Sequence, residues 1–340
     1  MTRNPFLDLL ARPPAWLFGG LVGLKNKLYD QGRLPIKQLP RPVISVGNLA
    51  MGGTGKTPFT AELVQRFSAV GCRVAVLSRG YGREQADQSR RVTPEDDWRL
   101  AGDEPLMLAR RHPRAAVCVG PSRYAAAKVL PAPPDVYLID DGFQHRQLYR
   151  DCDIVLLDAS GPPPRIFPRG YYREGWMGLK RANIAVLTRC DQAQHLSAWH
   201  EGIRRANPQI PILELSFQSG DLCALKDGTS YPQTQLRGKR IAAYCGIAKP
   251  EPFFKNLTAL GATLVEKTIL KDHQALTKEQ LKQLRERCIQ KKLDAVITTE
   301  KDAVKLDPTT DFGVSLFFLT QVVSWCGETA DDLIVKPFVN

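Results

Sequence analysis

No two of the eight cysteines form a Cys-x-x-Cys pair; Cys72, Cys118, Cys152, Cys190, Cys223, Cys245, Cys288 and Cys326 are scattered along 340 residues. That argues against a zinc site or a disulfide framework and fits a reducing cytoplasmic compartment. A spanning apolar run is also missing: the uninterrupted stretch at residues 15–24 is about half of the ~20 residues a membrane helix needs. Asp8, Arg12, Pro13 and Pro14 stand ahead of it, a pattern foreign to a cleavable signal peptide. There is no internal repeat, low-complexity tract, lysine-rich tail or recognisable nucleic-acid module, so nucleic acid is not an expected partner. The formal net charge of +12 then points to anionic membrane surfaces or phosphorylated substrates. No obligate protein partner is evident.

What is present begins with Val43-Ile44-Ser45-Val46, a buried-strand pattern, followed by a glycine-rich loop and Gly55-Lys56-Thr57-Pro58. Gly52, Gly53 and Gly55 free the backbone to turn consecutive N–H groups inward around a polyphosphate, with Thr54 between them. Lys56 supplies charge to the outer phosphates and Thr57 a hydroxyl for magnesium. Alanine at position 50 replaces the glycine of the strict pattern. A chance Gly-Lys-Thr would lack the strand before it and the amphipathic run Phe59, Leu63, Phe67 after it. Pro58 suits a helix's first turn.

Residues 36–205 alternate apolar strands with helical stretches, the signature of a parallel sheet with helices on both faces. Strands are expected at 43–46, 74–77, 116–119, 136–139, 154–157 and 184–187. Residues 206–238, punctuated by Pro208, Pro211, Gly228 and Pro232, read as a linker or small hairpin. A second, smaller α/β lobe over 239–340 has strands at 241–244, 263–266, 295–298 and 315–319, and a capping box from Thr277 to Gln280 opens a helix there. Residues 1–35 form an apolar helical segment with Phe6, Leu9, Leu10, Trp16, Leu17 and Phe18 ahead of Lys25 and Lys27. Such a helix either docks on the protein's own core or lies at a membrane interface.

The chemically loaded residues follow the strands, where ligands sit in folds of this type. The strand at 136–139 ends in Asp140 and Asp141, suited to magnesium opposite a phosphate loop, with Gly142-Phe143-Gln144-His145-Arg146 behind them. Asp103 and Glu104 open a helix, either as N-cap and first-turn acid or as catalytic base and metal ligand. Arg79-Gly80-Tyr81, Arg123 and the Arg169 to Arg173 cluster suit phosphate or sugar recognition. Asp272-His273 is either a surface loop pair or an acid–base pair facing a cleft.

Together, residues 50–58, Ser78 to Gly82, Gly102-Asp103-Glu104-Pro105, Asp140-Asp141-Gly142-Phe143-Gln144-His145, Asp272-His273 and Thr299-Glu300-Lys301-Asp302 resemble the tetraacyldisaccharide 4'-kinase family, in order over essentially the whole chain. The resemblance implies transfer of the ATP γ-phosphate to the 4'-hydroxyl of a tetraacylated disaccharide 1-phosphate at the cytoplasmic face of the inner membrane. It implies that Lys56 and Thr57 hold triphosphate and Mg2+, with Glu104, Asp140 and Asp141 completing the metal site. Asp103 and His273 inherit the base, and Lys56 a catalytic role. Arg79 and Tyr81 fall on the nucleotide; Arg123, Gln144, His145 and Arg173 on the acceptor. The lipid acceptor makes the N-terminal helix an interfacial anchor. Two rivals are a GTPase of the metallochaperone type, with Thr188-Arg189-Cys190-Asp191 as a degenerate guanine reader, and a non-catalytic nucleotide switch.

Overall fold

The computed structural model describes residues 12–162, 167, 170–327 and 330–339. Phe6, Leu9, Leu10 and Arg169 lie outside the described residues, as do the side chains of Trp16, Leu17 and Phe18.

A helix, α1 (Arg12–Asp30), leads into β1 (Val43–Asn48), α2 (Lys56–Ala69), β2 (Val74–Ser78), β3 (Arg90–Val92), α3 (Trp98–Ala101) and α4 (Asp103–Arg111). Next come β4 (Ala116–Val119), α5 (Arg123–Ala127), β5 (Val136–Asp140), β6 (Cys152–Asp158), β7 (Ile184–Thr188) and α6 (Leu196–Ala206). The chain continues through β8 (Ile212–Ala224), β9 (Ser230–Tyr231), β10 (Arg240–Cys245), α7 (Glu251–Ala259) and β11 (Thr263–Ile269). Then come α8 (Lys278–Gln290), β12 (Ala295–Thr299), α9 (Glu300–Ala303) and β13 (Ser315–Trp325), followed by a π-helical turn over Asp331–Val335 and a 3-10 turn over Lys336–Phe338.

The first-lobe strands run β3-β4-β2-β5-β1-β6-β7, parallel except for β3. All six expected strands are there, each equal to its predicted span or longer by a few residues. β1, β2, β5, β6 and β7 are buried along their whole length, which explains their continuous apolar character. Phe59, Leu63 and Phe67 of α2 are fully buried at i, i+4, i+8 and seat that helix on the sheet. Truncating either phenylalanine to alanine would cost about 3–5 kcal/mol. Because α2 is fixed this way, the loop at its N-terminus is fixed too.

The stretch read as a linker or small hairpin holds a hairpin in which the end of a 13-residue strand, β8, pairs antiparallel with β9, and β8 itself reaches well beyond it. β8 pairs parallel with β7 at its start and antiparallel with β13 along the rest, so the two lobes share one continuous sheet. Leu213 and Leu215 alternate inward, whereas Gln218, Ser219, Gly220 and Asp221 give the second half a loop-like composition. The pairing partner, β13, also runs six residues past its expected end at Leu319. The capping box forms as expected: Thr277 Oγ1 accepts from the Gln280 N–H at 3.2 Å, and Leu284 and Cys288 are buried.

α1 is docked by its last turns. Tyr29 is buried beneath the Arg146 guanidinium, and Asn26 donates to Glu174 at 3.2 Å, while Leu21 and Leu24 stay exposed. No helix among the described residues is long and apolar enough to cross a membrane.

Candidate active site

β1 and β5 lie side by side with Val46 level with Asp140, so the loop after β1 faces the carboxylates ending β5. Gly52 and Gly55 take positive φ of 112° and 88°. Gly55 has a second constraint: a Cβ there would lie 2.1 Å from Cζ of Phe217 on β8. Asn48 Nδ2 donates to Thr54 Oγ1 at 2.9 Å, and Thr188 Oγ1 to the Thr54 carbonyl at 3.1 Å. Arg189 donates to the Gly53 carbonyl at 3.0 Å and to Asp158 at 2.7 Å. The segment that would read guanine in a GTPase thus spends its arginine bracing the phosphate loop.

Thr57 Oγ1 donates to Asp140 Oδ2 at 3.3 Å, and Thr60 to Oδ1 at 3.3 Å. Burial, reinforced by Glu104, pushes the Asp140 carboxyl up to about 7. Asp141, in the left-handed region, faces Lys56 Nζ at 3.5 Å and Arg173 at 3.6 Å. Burial opposes its charge, but those cations and Arg123 outweigh burial and hold Asp141 below the usual range. An all-oxygen set of Thr57, Asp140 and Glu104, where burial and Glu104 outweigh Lys56 and Arg123 at Asp140, suits a hard divalent cation. Among the described residues no three acidic, His or Cys side chains close around one point.

Arg123 is 5% exposed and donates to the Asp140 and Asp141 carbonyls at 3.1 and 3.2 Å. Gln144 Nε2 donates to the Asn48 carbonyl at 2.8 Å and to Glu174 at 3.1 Å, leaving its oxygen to Arg173 at 3.3 Å. Glu174 is buried under a bidentate Arg181. Burial, with Arg123, Arg150 and Arg79 adding, pushes His145 down to about 4, so it is neutral near pH 7. Arg79 and the exposed Tyr81 line the same cavity, whose volume is about 1490 Å³.

The second lobe closes one side of that cavity. Gly102, with φ 87°, precedes α4, and Asp103 is the helix's first residue, 4% exposed and turned toward the second lobe. Its Oδ2 lies 2.9 Å from His273 Nδ1, across 170 positions of sequence. Lys305 Nζ lies 3.5 Å and Lys301 Nζ 4.0 Å from the same oxygen. Burial works against ionisation of Asp103, but the His273 bond and the two ammonium groups hold it below the usual range. The bond to Asp103 raises His273, with burial and Lys301 opposing. Tyr81 stands against the His273 ring, centroids 5.3 Å apart. Sequence reasoning gave Phe217 and Lys305 no place here, read Arg189 only as part of a guanine motif, and saw Lys301 only within its motif.

A glycine-rich loop with Lys-Thr facing paired aspartates, beside a buried Asp–His contact, defines a phosphate-loop phosphotransferase. The profile of the family described as tetraacyldisaccharide-1-P 4'-kinase matches residues 7–335. A tetraacyldisaccharide 4'-kinase of Anaeromyxobacter dehalogenans (strain 2CP-C) is 40% identical over 314 residues, covering 88% of this chain and 81% of its own. One from Bdellovibrio bacteriovorus is 34% identical over 307 residues, covering 87% and 88%. The solved structure of LpxK from Aquifex aeolicus, in complex with ATP, superposes with a TM-score of 0.75 at 29% identity, over 96% of this chain and 97% of that one. The chain belongs to the tetraacyldisaccharide-1-P 4'-kinase family. It is a kinase, and its fold is that of the phosphate-loop enzymes with an added α/β lobe.

Proposed function

We propose that this protein transfers the γ-phosphate of ATP to the 4'-hydroxyl of a tetraacylated disaccharide 1-phosphate in lipid A biosynthesis, as a peripheral enzyme at the cytoplasmic face of the bacterial inner membrane. The observation that carries the reading is the Asp103–His273 contact at 2.9 Å, made between lobes at the wall of the cavity that holds the phosphate loop.

In this reading the backbone from Gly52 to Gly55 cradles the triphosphate, with Arg79 and Tyr81 on the nucleotide. Lys56 neutralises charge as the phosphoryl group moves. Thr57, Glu104 and Asp140 hold magnesium, which when bound supplies charge to the phosphate oxygens, and Asp141 supports them by fixing Lys56. Asp103 accepts the proton of the acceptor hydroxyl, and His273 orients that carboxylate. Arg123, Arg173, Gln144 and His145 face the acceptor. The exposed Leu21 and Leu24 of α1, with Lys25 at the cavity rim, support contact between this helix and a lipid surface. Positive charge on the protein favours an anionic membrane and a phosphorylated lipid. Nucleic acid has no part in the scheme, nor does an obligate protein partner.

Asp103→Ala tests it. The variant should bind ATP with unaltered affinity by calorimetry yet lose turnover on the lipid acceptor. Retained turnover would remove the base from the scheme, and lost ATP binding would make Asp103 structural.

A further inference from the structure

Thr299-Glu300-Lys301-Asp302 has no role in the scheme above. We propose that Lys301 is a positioning residue for phosphoryl transfer, locking His273 in the tautomer whose Nδ1–H faces Asp103. The inference rests on the reading of Asp103 as the base and extends it to a residue of the second lobe.

The backbone that carries Lys301 is held at the ends of two strands. Thr299, the last residue of β12, caps α9 by accepting from the Asp302 N–H at 3.2 Å. Asp302 in turn accepts from Gly246 N–H, just beyond β10, at 2.8 Å and from Lys305 Nζ at 2.9 Å. From this fixed base Lys301 Nζ reaches Glu104 at 3.3 Å, Asp272 at 3.3 Å and His273 Nε2 at 3.2 Å.

An ammonium has three donors and no acceptor, whereas an ionised carboxylate only accepts. The ring nitrogen facing Lys301 therefore presents its lone pair, and the one facing Asp103 carries the proton. Asp272 Oδ1 stands 3.9 Å from Nε2, too far to take a proton from it by a hydrogen bond. In the opposite tautomer a lone pair would face the Asp103 carboxylate and an N–H would face the ammonium, two repulsive contacts in place of two attractive ones. Lys305 does not make this choice: it is tied to Asp302 and the Gln274 carbonyl, and it lends charge to Asp103 from 3.5 Å. With the tautomer fixed, Asp103 accepts from His273 at Oδ2 and from the Glu104 N–H, 2.9 Å away, at Oδ1, so both carboxylate oxygens are oriented before substrate arrives.

The experiment reads the ring directly, by nitrogen-15 spectra of histidine-labelled full-length protein with His273 assigned through its loss in His273→Gln. Wild type should show a protonated Nδ1 and an unprotonated Nε2. Lys301→Met should let Nε2 take a second proton beside the Nδ1–H that Asp103 still holds, and lower kcat roughly 10- to 100-fold, with the KM for ATP moving less than about twofold. Lys301→Arg, still a donor-only cation, should keep the tautomer and most of kcat. A protonated Nε2 in wild type, or an Nε2 that stays unprotonated in Lys301→Met, overturns the assignment. So does a raised KM for ATP at constant kcat, which would make Lys301 a nucleotide ligand. Wild-type kcat in Asp103→Ala would instead overturn the base assignment, and the two failures are separable because the tautomer is measured without turnover.

Discussion

Gly55 is where the phosphate loop, the helix behind it and the strand joining the lobes constrain one backbone position, so Gly55→Ala has a calculable effect. Its φ of 88° requires an L-residue to sit in the left-handed region, at a cost of about 1–2 kcal/mol. The new methyl would also meet the Phe217 ring 2.1 Å away. That ring is the free end of a side chain and can swing aside, so the steric part belongs at the low end of overpacking, about 1 kcal/mol. The sum is about 2–3 kcal/mol, which urea unfolding should report as a lower midpoint with an unchanged slope. ATP affinity, measured by calorimetry with magnesium, should fall too, because Gly55 directly precedes Lys56 and Thr57. Phe217→Ala in the same background should recover the steric part alone, leaving a coupling of about 1 kcal/mol between the two sites. A Gly55→Ala protein within ~0.5 kcal/mol of wild type, or a coupling of zero, would refute the reasoning.

Arg181→Met should cost about 3–5 kcal/mol in urea unfolding, because it leaves the buried Glu174 carboxylate without its bidentate partner. The double variant Arg181→Met with Glu174→Leu should recover most of that loss. Thr57→Val keeps shape but removes the hydroxyl bonded to Asp140, and turnover should drop by on the order of 100-fold without rescue by excess magnesium. Burial, with Arg111 adding, pushes His112 from its ordinary 6.5 down to about 4. Between those values the unfolded chain binds a proton that the native state does not, so the native state is unpenalised above pH 6.5 and progressively destabilised as pH falls toward 4. Wild type should therefore lose stability relative to His112→Gln as pH falls from 6.5 toward 4, while the difference between their melting curves stays independent of pH above that range.

The phosphate loop was legible because its chemistry is local: strand, glycines, Lys56 and Thr57 are contiguous, and spacing alone sets their geometry. The buried strands and the capping box at Thr277 were legible for the same reason. β8 was not, because Gln218 to Asp221 carry no apolar alternation and gain their ladder only from β13, about a hundred positions away. The Asp103–His273 contact likewise has no local signal; each residue alone fits a helix start or a surface loop. Arg189 read as a failed guanine motif, and only the fold turns it onto the phosphate loop. Lys301 was visible within a motif, but the ring nitrogen it faces belongs to a different loop.

The most direct test is transfer of label from γ-labelled ATP, with magnesium, to purified tetraacyldisaccharide 1-phosphate, comparing wild type with Lys56→Ala and Asp103→Ala. The account predicts labelled lipid from wild type and none from either variant. Folded, ATP-binding wild-type protein that leaves the lipid unlabelled would contradict it.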